Sequence, residues 1–177
     1  MCFWRIRSPR DIVCICIECI PRVAGGKSIS FSLDSRYVAF SGVFSLVVRL
    51  DQDRIAVGSA YFCATNMRFS PSSMTHAAVL RNKIVFHLAA IEERENLLAE
   101  RWLEEEIHDI SYCQRGQRLA ASMKKGITML DVSNLDVITE LFTVACEPGL
   151  RMTTPLGKDL MVIDRQDHMM SSDYLAA

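Results

Sequence analysis

The chain has 177 residues, of which 50% are hydrophobic and 23% charged, with 8 glycines and 5 prolines. That composition fits one globular domain and excludes a disordered tail, a collagen-like chain and a disulfide-dense mini-protein. With 20 basic against 21 acidic residues the formal net charge is -1, so no global field draws the chain to nucleic acid or to an anionic membrane.

Two apolar runs open the chain, Cys2 to Ile6 and Ile12 to Ile20. The second is interrupted by Glu18 and closed by Pro21, well short of the roughly 20 residues that a membrane-spanning helix needs. Arg5, Arg7 and Arg10 ahead of it imitate the start of a signal peptide, but the run is short, carries an acid and is rich in β-branched residues. Both runs predict strands. Seven cysteines, an odd number, are scattered along a sequence without an Asn-x-Ser/Thr sequon, which points to reduced thiols and an intracellular, cytoplasmic or nuclear, protein.

From residue 29 onward one phrase recurs: an alternating run, a polar turn and a second apolar run. The copies are Ile29 to Phe40, Met67 to Leu80, Ile110 to Ser122 and Leu150 to Ile163, with starts at 29, 67, 110 and 150. A small or aliphatic residue follows eight positions after an aromatic residue or Met, at Phe31/Ala39, Phe69/Ala77, Tyr112/Ala120 and Met152/Leu160. Alternation places every second side chain on one face of a strand, and Asp34-Ser35, Pro71-Ser72-Ser73, Arg115-Gly116 and Pro155-Leu156-Gly157 are turn formers. Each copy therefore opens with a hairpin. Third strands are expected at Leu46 to Leu50, Ile84 to Leu88 and Ile127 to Val132, and fourth strands at Ile55 to Phe62 and Val137 to Val144.

Four strands in about 40 residues, repeated, is the pattern of a propeller blade. From about residue 27 to residue 170 the sequence resembles a divergent WD-repeat β-propeller. The Trp-Asp dipeptide of that family is represented by Leu50-Asp51 and Leu130-Asp131, and its Gly-His partner is absent. The resemblance implies an all-β, propeller-like array of about four four-stranded blades in a single domain, residues 1–177. Residues 1–26 then supply the outer strands of an incomplete blade, so the array is either a small ring or a portion of a larger propeller.

Residues 89–106 fit least well, because strong helix formers dominate them and Ile91, Leu98 and Trp102 recur at helical spacing. They form either a helical insertion or a charged loop followed by an outer strand around Leu98 to Leu103. From Ile91 to Asp109 there are eight acids and two arginines, and this acidic stretch is either a solvated surface or a docking surface for a basic partner.

Chemistry-bearing motifs are weak. Pro21 to Ser28 is a near miss of a phosphate-binding loop, with Pro21 where Gly is needed and an alternating run, not a helix, after Lys27-Ser28. Cys14-x-Cys16-x-x-Cys19 puts two thiols on one strand face and the third on the other, with no second pair nearby, so no metal site is expected. His76, His87, His108 and His168 are singly placed, and no Gly-x-Ser-x-Gly elbow occurs. His108-Asp109 either forms a structural hydrogen bond within its blade, as polar residues at that place do in the propellers this sequence resembles, or lies in an exposed loop.

The expectation is a non-catalytic scaffold for proteins or peptides, needing no cofactor and binding neither nucleic acid nor membrane. Its binding rim would join Arg81, Lys83, Lys124, Lys125 and Arg165 to Glu104, Glu105 and Glu106, all at turns on one side of the blades. The alternatives are an enzyme or small-ligand binder with its site in the central channel, and a propeller fragment without independent function. Self-association through unpaired edge strands is a further expectation.

Overall fold

A computed structural model describes residues 2–8, 11–16, 28–42, 44–50, 55–62, 64–72, 74–89, 97–113, 115–146, 151–153, 161–163 and 169–171. Among them the chain is all-β, without a helix. Strands β1 (Cys2–Ser8) and β2 (Asp11–Cys16) form an antiparallel hairpin. Three four-stranded antiparallel meanders follow. The first is β3 (Ser28–Phe31), β4 (Tyr37–Ser41), β5 (Phe44–Leu50) and β6 (Ile55–Phe62). The second is β7 (Asn66–Phe69), β8 (Thr75–Leu80), β9 (Lys83–Leu88) and β10 (Leu97–Trp102), and the third is β11 (Ile107–Tyr112), β12 (Arg118–Met123), β13 (Gly126–Asp131) and β14 (Thr139–Ala145). A three-stranded meander, β15 (Arg151–Thr153), β16 (Met161–Ile163) and β17 (Met169–Ser171), ends the series.

The opening hairpins of the three large sheets share one register. Phe31 pairs with Val38, Phe69 with His76 and Tyr112 with Leu119. The same backbone bond closes each turn: Ser32 N donates to Tyr37 O, Ser70 N to Thr75 O and Cys113 N to Arg118 O, at 2.9 to 3.0 Å. The eight-residue spacing in the sequence thus relates diagonal neighbours, since Ala39, Ala77 and Ala120 face Ser30, Arg68 and Ser111. Ser35 and Gly116 take the left-handed conformation at equivalent turn positions, with φ of 57° and 69°.

The first strands of successive sheets are neighbours: β7 lies beside β3, β11 beside β7, and β15 beside β11. The sheets therefore stack face to face in chain order. Between the first and second lie Ala39 and Val47 with Met67, Phe69, Ala78 and Val85. Between the second and third lie Ala77, Val79, Ile84 and Phe86 with Ile110, Tyr112, Leu119, Ala121 and Leu130. Adjacent residues Ala77 and Ala78 serve opposite interfaces, which explains why the second and third strands read as unbroken apolar runs. Burying each large side chain here contributes about 1.5 to 3 kcal/mol, and alanines on the second strands let the sheets approach closely. The outer strands β10 and β14 are mostly exposed.

Residues 97–102 settle into the second sheet as strand β10, so of the two alternatives the outer strand around Leu98 to Leu103 holds and the helical insertion does not, while residues 90–96 lie outside the described residues. Residue for residue Leu97-Leu98-Ala99-Glu100-Arg101-Trp102 favours helix, but β9 offers a full row of backbone partners and the tertiary pairing overrides the local preference. The third copy begins at Ile107, three residues earlier than its alternation suggested, across a bulge between Ile107 and Asp109. The strand β17 was not signalled by the repeat.

Candidate interaction surface

The turn between β8 and β9, the link between β10 and β11, and the turn between β12 and β13 lie together on one side of the second and third sheets. Backbone bonds fasten the first two: Leu103 N donates to Asn82 O at 2.9 Å and Ile107 N to Arg81 O at 2.8 Å. The Asn82 side-chain amide adds a bond to Leu103 O at 3.1 Å, and Arg81 sits at φ 59° to make the tight turn. The third piece is joined through charge. Lys125 Nζ lies 2.6 Å from Glu105 Oε1, and Lys125 N donates to Glu105 Oε2 at 3.1 Å. The bond from Lys125 holds the Glu105 carboxyl below its ordinary range, and Glu105 in turn raises the Lys125 ammonium. Both groups are charged at neutral pH. Gly126 follows because a Cβ there would lie 2.2 Å from Val144 O, leaving no room for any side chain under β14.

Of the rim residues read from sequence, Arg81, Lys124, Glu104 and Glu106 are exposed on this surface, and Lys125 and Glu105 form its ion pair. Lys83 does not join them. Its ammonium reaches Glu100 at 3.0 Å and sits over the Trp102 ring, 5.1 Å from the centroid, so it braces β9 against β10. Arg165 lies outside the described residues. A groove of about 440 Å³ runs beside the rim, lined by Trp102, Glu104, Glu105, Lys125, Glu140 and Thr143 among others. Trp102, 61% exposed, and the β14 residues were not placed at the rim from sequence, because only the pairing of the outer strands brings them here.

The other candidates resolve differently. His76 and His87, eleven positions apart, are opposite each other across β8 and β9 and stack with ring centroids 5.6 Å apart. Burial, and then the neighbouring His87, lower His76 to about 3, and burial lowers His87 against the opposing pull of Glu100. The pair is neutral at physiological pH and packs with Phe69, 5.4 Å from His76. Asp109 reaches out of its own sheet: it accepts a bond from the Asn66 side-chain amide and lies 3.6 Å from Arg68, joining β11 to β7. Asp109 also accepts a bond from Ile110 N in its own strand at 2.9 Å, and His108 is exposed.

Asp131, at the Trp-Asp-like position, accepts bonds from Ser133 N and Oγ at 2.9 and 2.6 Å, closing the turn into β14. Ser28 opens strand β3, so no helix follows the phosphate-loop-like motif, whose residues 21–27 lie outside the described residues. Cys19, Cys63 and His168 lie outside them too, as do the side chains of Cys14 and Cys16. Among the described residues no three His, Cys, Asp or Glu side chains converge as a metal-holding group, and no helix is long and apolar enough to cross a membrane. Neither a protein-family model nor a curated protein matches this sequence.

Proposed function

We propose that the chain is a WD-repeat-like, propeller-type scaffold inside the cell that captures a protein or peptide through its mixed-charge rim and does no chemistry of its own. The observation that carries this reading is the joining of three separate turns, at 81–82, 103–107 and 124–125, into one surface by the bonds around Asn82 and Lys125. A surface fixed by backbone bonds is preorganised, which lowers the ordering cost of binding. Its alternating acids and bases favour a partner of complementary pattern over a uniformly charged polymer such as nucleic acid. The propeller reading draws support from the common hairpin register and from the neighbouring first strands.

The test is quantitative capture from cell extract on the immobilised full chain, comparing the wild type with a Lys124→Glu, Lys125→Glu double variant of unchanged circular dichroism. Specific retention by the wild type should fall on the order of tenfold in the variant, equivalent to about 1.4 kcal/mol. Equal retention by both proteins removes the rim as the binding surface. Thermal stabilisation by nucleotides or small metabolites together with equal retention would move the function to the channel.

A further inference from the structure

We infer that the groove between β10 and β14 takes a peptide segment of a partner protein in which one carboxylate sits among basic side chains. This rests on the reading of the rim as a capture surface and names what the groove beside it recognises. The groove, of about 440 Å³, has the size of an ordinary binding pocket, and the strands on its two sides belong to separate sheets. Of its five charged lining residues, Lys125 and Glu105 answer each other. One base, Arg101, and two acids, Glu104 and Glu140, are left without an ion pair among the described residues.

Arg101 is half-buried, and its Nε is buried with no hydrogen-bond partner among the described residues. A buried donor bears its full desolvation cost until something accepts from it, and a carboxylate is the acceptor whose plane matches the guanidinium fork. Glu140 is set in place from behind. Its carboxylate accepts from Thr143 Oγ1 at 2.7 Å, which uses the Thr143 proton, so Thr128 Oγ1, also 2.7 Å away, donates to Thr143. Thr128 is only 2% exposed, and a buried anchor thus holds an exposed acid at the groove wall. A simple anion would meet Arg101 but also Glu104 and Glu140, whereas a simple cation would leave Arg101 unanswered. The occupant that satisfies all three carries a carboxylate with bases on either side. A free basic amino acid carries the same charges, but Glu104, Glu105 and Lys125 belong to groove and rim alike, so a chain laid in the groove continues onto the rim.

Two labelled peptides with capped ends, Gly-Ser-Lys-Asp-Lys-Ser-Gly and the same sequence with Asn for Asp, test the inference by fluorescence anisotropy on the full chain. The asparagine peptide is the more positive, so attraction to the acids alone would favour it. The wild type should instead bind the aspartate peptide about tenfold more tightly, and Arg101→Gln should reverse the order. Glu140→Gln should weaken both peptides and keep their order, and it serves where Arg101→Gln lowers the melting temperature. Tighter binding of the asparagine peptide by the wild type, an order unchanged by Arg101→Gln in a folded protein, or displacement of the aspartate peptide by free lysine at equal concentration would overturn the inference. Failure of both peptides to bind, with capture from extract still lost in the Lys124→Glu, Lys125→Glu variant, would overturn it while leaving the rim reading in place.

Discussion

His76 shows how a single side chain records the packing around it. It is fully buried, stacked on His87 with Phe69 tilted against it, and its pKa is lowered from 6.5 to about 3 by burial and then by His87. A folded pKa below the unfolded value means that the unfolded chain binds the proton more tightly, so stability is complete above 6.5 and is lost as pH falls toward 3. Urea unfolding between about pH 7.5 and about pH 5, above the carboxylate range, should show stability falling by up to about 1.4 kcal/mol per unit below the histidine midpoint. His76→Phe should flatten that slope, and a slope equal in both proteins would place the titration elsewhere. The four histidines looked isolated in sequence because the pair is eleven residues apart. Only the register that sets Leu80 opposite Lys83 converts that spacing into contact.

At the scale of elements, the hairpin turns carry a second lesson. Gly116 has φ 69°, but Ser35 adopts φ 57° at the equivalent turn, so the backbone conformation alone does not demand glycine. What demands it is the neighbouring turn: a Cβ at Gly116 would lie 2.3 Å from Ser72 Oγ and 2.7 Å from Ser70 Oγ. Gly116→Ala should therefore destabilise the fold by about 1 to 3 kcal/mol in denaturant unfolding. A midpoint equal to that of the wild type would mean that the two turns are not in contact. The strands themselves were legible from alternation and turn residues, and Ile55–Phe62 was found with both ends in place. For residues 97–102 the sequence left a helix and an outer strand around Leu98 to Leu103 both open, because the pairing with β9 and the Lys83 bridge to Glu100, which select the strand, are contacts that helix propensity does not contain.

For the whole molecule, what was readable was the period, and what was not was the joining of one sheet to the next. The recurring phrase predicts sheets in series, but Asp109 reaching Asn66 and Arg68, and Ser30 Oγ accepting a bond from Phe69 N at 3.0 Å, are visible only once the first strands lie side by side. The rim was foreseen as a set of turns on one side, and the structure adds that Lys125 and Glu105 join two of them while Lys83 turns away to Trp102. Stacking of consecutive sheets in chain order is the claim on which the rim, the groove between β10 and β14 and the propeller reading all rest. Methyl NOE spectroscopy of the full chain tests it most directly. The account predicts cross-peaks between Val47 and Met67 or Val85 across the first interface, and between Val79 or Ile84 and Ile110 or Leu119 across the second. Cross-peaks confined to pairs within single sheets would contradict it.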